Sequence, residues 1–187
     1  MSGTEHVFSE SLSWAQEQEA APWWAEVYGD FFRDYSHHTH ILSDGWAQRA
    51  GVDHVITLKS GKVWAVDVKA RDAVKGKVYR DCLLEFISND KKQTPGWVVK
   101  DLAADFIAYA IVPLRKVWLL SVPQLQRAWV TCSAEWTRPE NIRKSPNNGY
   151  NTLNAPVDWR VLMEAMWMAG YTRWSEPQDQ EQDDLPF

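Results

Sequence analysis

The chain has 187 residues and a mass of 21.6 kDa, enough for one domain that buries its own core and too little for two large ones. With 45% hydrophobic and 24% charged residues and a net charge of −5, the composition excludes a fibrous or wholly disordered chain. Its two cysteines, Cys82 and Cys132, lack CxxC spacing, which excludes a disulfide framework and a cysteine-rich zinc site.

Residues 10–35 read as one or two helices, with Leu12, Trp14, Ala15, Trp23, Trp24, Val27, Tyr28, Phe31 and Phe32 at three- and four-residue spacings. Pro22 suits a first helical turn, so the main helix is expected from Pro22 to about Tyr35. A polar loop, SHHTHILSDG, follows. Three β-rich runs come next: Val52–Leu58, Val63–Ala70 and Cys82–Ser88. The first two are joined by Lys59-Ser60-Gly61-Lys62, a hairpin signal. A short helix near Val98–Ala104 then precedes apolar runs at Phe106–Val112 and Val117–Val122. Pro123 opens a further helix, Asn147-Asn148-Gly149 marks a turn, and Val157–Ala169 reads as a helix closed by Gly170. The fold class is therefore mixed, α/β or α+β, with residues 1–174 as a single domain. The run 106–114 contains Pro113 and is too short to cross a bilayer. The first residues carry Glu5 and Glu10 and no apolar leader, so the expected location is the cytoplasm.

Charge is unevenly spread. Residues 1–50 hold eight acids and two bases, whereas residues 59–100 hold ten Lys and Arg against five acids. A segment that is locally basic attracts a polyanion whatever the net charge, because counterion release depends on nearby cations. The bland alternative is a solvated face.

Asp67 and Lys69 alternate with Val66 and Val68 on the second β-run, so both point to one face of that strand. An acid and a lysine on so apolar a strand are costly without a partner or a metal. The hairpin brings Asp53 alongside, and the two aspartates and the lysine converge. A hard divalent cation such as Mg²⁺ takes one or two carboxylates plus water and substrate phosphate. Held by Asp53 and Asp67, it would acidify a bound water and neutralise charge on a phosphodiester, with Lys69 orienting or helping to deprotonate that water.

The order helix, Gly51-Val52-Asp53, hairpin, Asp67-Val68-Lys69 resembles the PD-(D/E)XK nuclease superfamily, the restriction-endonuclease-like and Holliday-junction-resolvase-like fold. The likeness covers about residues 22–122. It implies an αβββαβ core with a mixed central sheet flanked by helices, Asp53 and Asp67 as ligands of Mg²⁺ or Mn²⁺, and Lys69 as the catalytic lysine. It departs from the pattern where Val52 replaces the proline of the name. The implied activity is metal-dependent hydrolysis of DNA, in many relatives by homodimers.

Glu85, in the third run, is a candidate third carboxylate or else an edge-strand ion pair. Glu26 is a candidate helical ligand, with Asp30 and Asp34 competing, and a solvated helix face is the simpler reading of all three. Gln48 and Arg49 precede the first motif and are candidate phosphate contacts. Arg71, Lys75 and Lys77, leaving the DxK strand, with Lys91, Lys92 and Lys100 beyond, are candidates for tracking a nucleic-acid backbone without reading sequence. His37, His38 and His40 read as a polar loop and not as a zinc site, because no HxxxH or cysteine partner completes them. Of twelve tryptophans most are expected in the core, Trp167 among them, with Trp97 the exposed one.

Residues 175–187 hold five acids and no base and are expected to form a disordered acidic tail. Their end, Asp183-Asp184-Leu185-Pro186-Phe187, puts two acids before an apolar plug carrying the free carboxylate, which suits an apolar pocket rimmed by cations. It resembles the acidic C-terminal tip of bacterial single-stranded-DNA-binding proteins, with Leu185 where isoleucine is usual. That likeness implies docking onto host repair or replication enzymes, and a bacterial or phage origin. The alternative to a nuclease is then an inactive nuclease-like adaptor acting through the tail.

Overall fold

A computed structural model describes residues 13–41, 50–73, 76–167 and 172–173. Residues 13–19 are helical, and a second helix, α1 (Trp24–Phe31), follows after a turn at Pro22. Two sheets carry the remainder. The first has strands β1 (Tyr35–His40), β2 (His54–Leu58), β3 (Val63–Arg71), β6 (Phe106–Ile111), β7 (Lys116–Ser121) and β10 (Thr172–Arg173), in that spatial order. The second is ordered β5 (Thr94–Pro95), β4 (Asp81–Asn89), β9 (Asn151–Asp158) and β8 (Arg143–Pro146). A short 3-10 helix (Val112–Leu114) joins β6 to β7, and helices α2 (Val122–Trp136) and α3 (Trp159–Met166) complete the described elements. The fold is mixed α/β: β1, β2 and β3 are antiparallel neighbours, β6 runs parallel to β3, and β7 antiparallel to β6. Among the described residues no helix is long and apolar enough to cross a membrane.

Strand alternation sorts the first sheet into two faces. Ile56, Leu58, Val66, Val68, Ala108, Ala110, Val117 and Leu119 pack under Trp24, Val27 and Tyr28 of α1. From β6 and β7, Ile107, Tyr109, Ile111, Trp118 and Leu120 point the other way. There they join Cys82, Leu84, Ala155 and Val157 of the second sheet and the buried faces of α2 and α3. Trp118 and Trp159 stack face to face at 3.8 Å in this core. Because Val66 and Val68 face α1, Asp67, Lys69 and Arg71 must face the second sheet.

Several elements differ from the reading of the sequence. The segment expected as a polar loop forms β1 as far as His40, because His38 and His40 turn inward against Tyr28 and His54 while His37 and Thr39 stay exposed. The run at Cys82–Ser88 is a strand, but it pairs with β9 and belongs to the second sheet, so the third strand of the first meander is β3. Residues 98–104 form turns and no helix. Val98 and Ala104 there are buried single anchors, without the repeated apolar stripe a helix needs. The long connection from β3 to the parallel β6 therefore runs through β4 and β5. The last helix begins at Trp159, since Val157 and Asp158 complete β9 and the Asp158 carboxylate accepts from the Arg160 amide as its N-cap. Trp97 is partly buried against the second core, 6.5 Å from Tyr109, whereas Trp167 is 79% exposed with Arg127 over its ring.

Candidate active site

Asp53 ends the approach to β2, and His54 pairs with Val66, so the hairpin sets Asp53 beside Asp67. The Asp53 amide donates to the Val66 carbonyl at 2.9 Å, and its Oδ2 accepts from the Val68 amide at 2.7 Å. These bonds pin the carboxylate against β3. Asp67 is only 3% exposed. Its Oδ1 accepts from Lys69 Nζ at 2.6 Å, and its Oδ2 is buried with no hydrogen-bond partner. Gly51, at φ +69°, keeps this side of Asp67 open. A Cβ there would stand 2.7 Å from Leu102 Cδ2 and 3.9 Å from the unpartnered oxygen, and the positive φ itself favours glycine.

The electrostatics follow from this crowding. Burial raises the Asp67 carboxyl to about 6; Lys69 opposes that shift and Asp53 adds to it. Burial pulls the Lys69 ammonium down, but Asp67, Asp53 and Glu85 outweigh it and hold the group above its ordinary value. Lys69 is thus an ammonium, about a third exposed at the mouth of the cluster. Glu85 enters from β4 in the second sheet, raised by burial and lowered by Lys69. Its backbone is clasped by the following loop, where the Gly96 amide donates to the Phe86 carbonyl and the Val98 amide to the Glu85 carbonyl. A Cβ on Gly96 would fall inside van der Waals contact with that carbonyl.

A further acid, not singled out by the sequence reading, joins them. Glu19 closes the helical segment 13–19, and burial together with Asp53 raises its carboxyl to about 7; Lys69 opposes and Asp67 adds. Its position depends on His54, which is fully buried. The Glu19 carbonyl can only accept, so His54 Nε2 donates to it at 2.7 Å, and Nδ1 accepts from the Tyr28 hydroxyl at 2.6 Å. That requires a neutral imidazole, and burial holds the pKa of His54 down at about 4. Around it pack His38 and His40, the latter with Nε2 4.0 Å from Glu19 Oε2. The helix acids weighed as candidate ligands lie elsewhere, Glu26 and Asp30 in keeping with the simpler reading of a solvated face. Glu26 and Asp30 are on the exposed side of α1, and Asp34 binds the far hairpin turn, accepting from the Ser60 hydroxyl at 2.9 Å. The signal for Glu19 was the helix end before Pro22.

Of the candidate cations, Arg71 follows Lys69 on the same face of β3 and pairs with Asp81. Lys77 lies over the Tyr79 ring at 5.1 Å. Lys91 and Lys92 are exposed in the β4–β5 turn, their amides capped by the Asn89 side chain. Gln48, Arg49, Lys75 and the tail residues Asp183, Asp184, Leu185, Pro186 and Phe187 lie outside the described residues.

Among the described residues no group of three or more His, Cys, Asp and Glu side chains is gathered closely enough to enclose a metal. A hard cation that keeps several waters needs only one or two carboxylates. The Asp53–Asp67 pair, with one buried oxygen lacking any donor, fits that smaller requirement. Comparisons of the chain with protein-family models, with curated proteins and with solved structures give no match.

Proposed function

We propose that the chain is a Mg²⁺- or Mn²⁺-dependent nuclease that hydrolyses phosphodiester bonds of DNA at the Asp53–Asp67–Lys69 cluster. One observation carries this reading: a buried Asp67 carboxylate with one oxygen on Lys69 Nζ at 2.6 Å and the other unpartnered, beside a second aspartate. Such a group is unfavourable for folding and suits a cation. The connectivity supports the same reading, since α1, the β1–β2–β3 meander and a strand parallel to β3 follow the αβββαβ order, with β4 and β5 standing where that order has a helix.

Asp53 and Asp67 would hold the ion, with Glu19 and Glu85 at its margin. Bound there, it supplies an acidified water and neutralises charge on the phosphate. Hydrolysis joins the water oxygen to phosphorus and breaks the bond to the leaving oxygen, which takes up a proton. Lys69 is held as an ammonium by three carboxylates, so it orients the phosphate or water and stabilises the developing negative charge, a role worth about 3 kcal/mol where measured for comparable donors. Of the two roles the sequence leaves open for Lys69, orienting the water or helping to deprotonate it, an ammonium serves the first.

The test is cleavage of supercoiled, linear, branched and single-stranded DNA with Mg²⁺ or Mn²⁺. Metal-dependent cutting by the wild type and its loss in Asp67→Ala and Lys69→Ala are expected. Cutting that survives both substitutions, or none on any substrate, overturns the reading. Tail-dependent capture of host enzymes, compared with and without residues 183–187, tests the partner assignment separately.

A further inference from the structure

Beyond the carboxylate cluster, β3 and β4 meet in a second charged group. Arg71 lies two residues past Lys69 on the same face, about 7 Å further along the strand. Its Nη1 donates to the Asp81 carbonyl at 2.6 Å and to Asp81 Oδ1, while Arg143 Nη2 on β8 donates to Asp81 Oδ2 at 3.1 Å. The Tyr79 ring lies among three cations, with Arg71, Lys77 and Arg143 at 4.9, 5.1 and 5.2 Å from its centroid. Two guanidiniums share the one Asp81 carboxylate, and Lys77 adds a third cation at the same ring. Asp158, opposite Asp81 in the β4–β9 register, brings a second acid, which caps α3, so three cations stand against two carboxylates.

Two structural anchors would suffice to tie the sheets together, and Arg71 with Asp81 already does so. Arg143 is nonetheless 43% exposed, and a guanidinium carries five donors, of which Asp81 takes one or two. Lys77 is exposed beside it. The arrangement has the chemistry of an anion cradle: one guanidinium fixed by an acid, a second fixed at one end and open at the other, and an exposed ammonium, all over one aromatic ring.

We infer that Arg71, Lys77, Tyr79 and Arg143 bind a backbone phosphate of the nucleic-acid strand next to the one at the Asp67–Lys69 cluster. This rests on the nuclease reading for the identity of the strand. The two sites share one strand face, so the substrate backbone runs along β3 from Asp67 towards β8. Arg143 carries no motif signal, because β8 and β3 lie some seventy residues apart in sequence.

The experiment measures anisotropy of a fluorescein-labelled single-stranded 20-mer and of a 20-base-pair duplex over a salt series, in EDTA so that no metal-dependent cleavage proceeds. Each lost phosphate contact lowers the slope of log K against log salt by about 0.7 to 0.9. Arg143→Ala and Lys77→Ala act on the same phosphate, so each is expected to reduce the slope by part of that amount and the two together by about all of it, Arg143→Lys to leave it nearly unchanged, and Lys92→Ala in the β4–β5 turn to leave it unchanged. Urea midpoints check that each variant is folded; should Arg143→Ala fail to fold, Lys77→Ala decides. A slope unaltered by those two substitutions overturns the proposal, as does a wild type that binds neither oligonucleotide in low salt. Displacement of the strand by inorganic phosphate at matched ionic strength also overturns it, since the site would then take the free anion. Failure of the nuclease reading looks different: binding and its salt slopes persist while no substrate is cut.

Discussion

Binding of a divalent cation to the carboxylate cluster should expel protons, by an amount that follows from the two raised carboxyls. At a pH of about 6.5, a carboxyl with a pKa of about 7 is about three-quarters protonated and one with a pKa of about 6 about one-quarter. Glu19 and Asp67 have those values, so together they hold about one proton that a cation must displace. At a pH of about 8 the same sum falls to about 0.1. Glu19 and Asp67 sit in one another's field, and the total proton count is what calorimetry reads. Titration of the protein with Mn²⁺ in buffers of different ionisation enthalpy gives that number directly. Glu19→Gln should lower the release near pH 6.5 by about three-quarters while binding persists through Asp53 and Asp67. The same cation at ten times its Kd should add about 1.4 kcal/mol of stability and raise Tm by about 3–6 °C for a chain of this length. A release that does not change between the two pH values, or that is the same in Glu19→Gln, would refute the placement of Glu19 in the cluster. Absence of any binding heat or Tm shift would refute the metal reading itself.

Asp67→Asn should remove metal-dependent cleavage yet stabilise the fold at neutral pH, because the raised pKa means that ionised Asp67 costs about 3 kcal/mol even with Lys69 beside it; a urea midpoint that falls would contradict this. His54 has the opposite chemistry and a defined pH window. Its folded pKa, about 4, lies below its ordinary 6.5, so its contribution is complete above pH 6.5 and declines as pH falls towards 4, by about 3 kcal/mol in all. Glu19 and Asp67, raised in both proteins, add stability over the same range as pH falls, so the His54 contribution is read as the difference: the gap in urea midpoint between the wild type and His54→Gln should narrow from pH 6.5 towards pH 4. Gly96→Ala should cost about 1–3 kcal/mol, because its Cβ meets the Glu85 carbonyl and the loop or β4 must shift. Equal urea midpoints for the two proteins would show that the loop yields freely.

The central pair of aspartates with Lys69 was legible in the sequence for a local reason. A glycine-containing turn joins two β-rich runs, and a period of two then decides that Asp67 and Lys69 share a face and that Asp53 stands across from them. Helices α1 and α2 and strands β6 and β7 were legible for the same reason, since their apolar periodicity is complete within each segment. The remainder depended on contacts that no local pattern contains. Strand β1 is written in histidines, residues that mark a strand only once Tyr28 and His54 are there to pack against them. Whether β4 joined the first sheet or a second was settled by β9, about seventy residues away, whose pairing with Cys82 and Leu84 buries them against α3. Glu19 reaches the site because His54, buried beneath it, can bond a helix-end carbonyl while Tyr28 supplies its other partner. Arg143 reaches Asp81 only through the β8–β9 hairpin. Hairpin geometry and strand alternation act over a few residues and can be read along the chain. Burial of a charge, and the partner that makes it tolerable, come from distant segments and are decided only when the chain has folded.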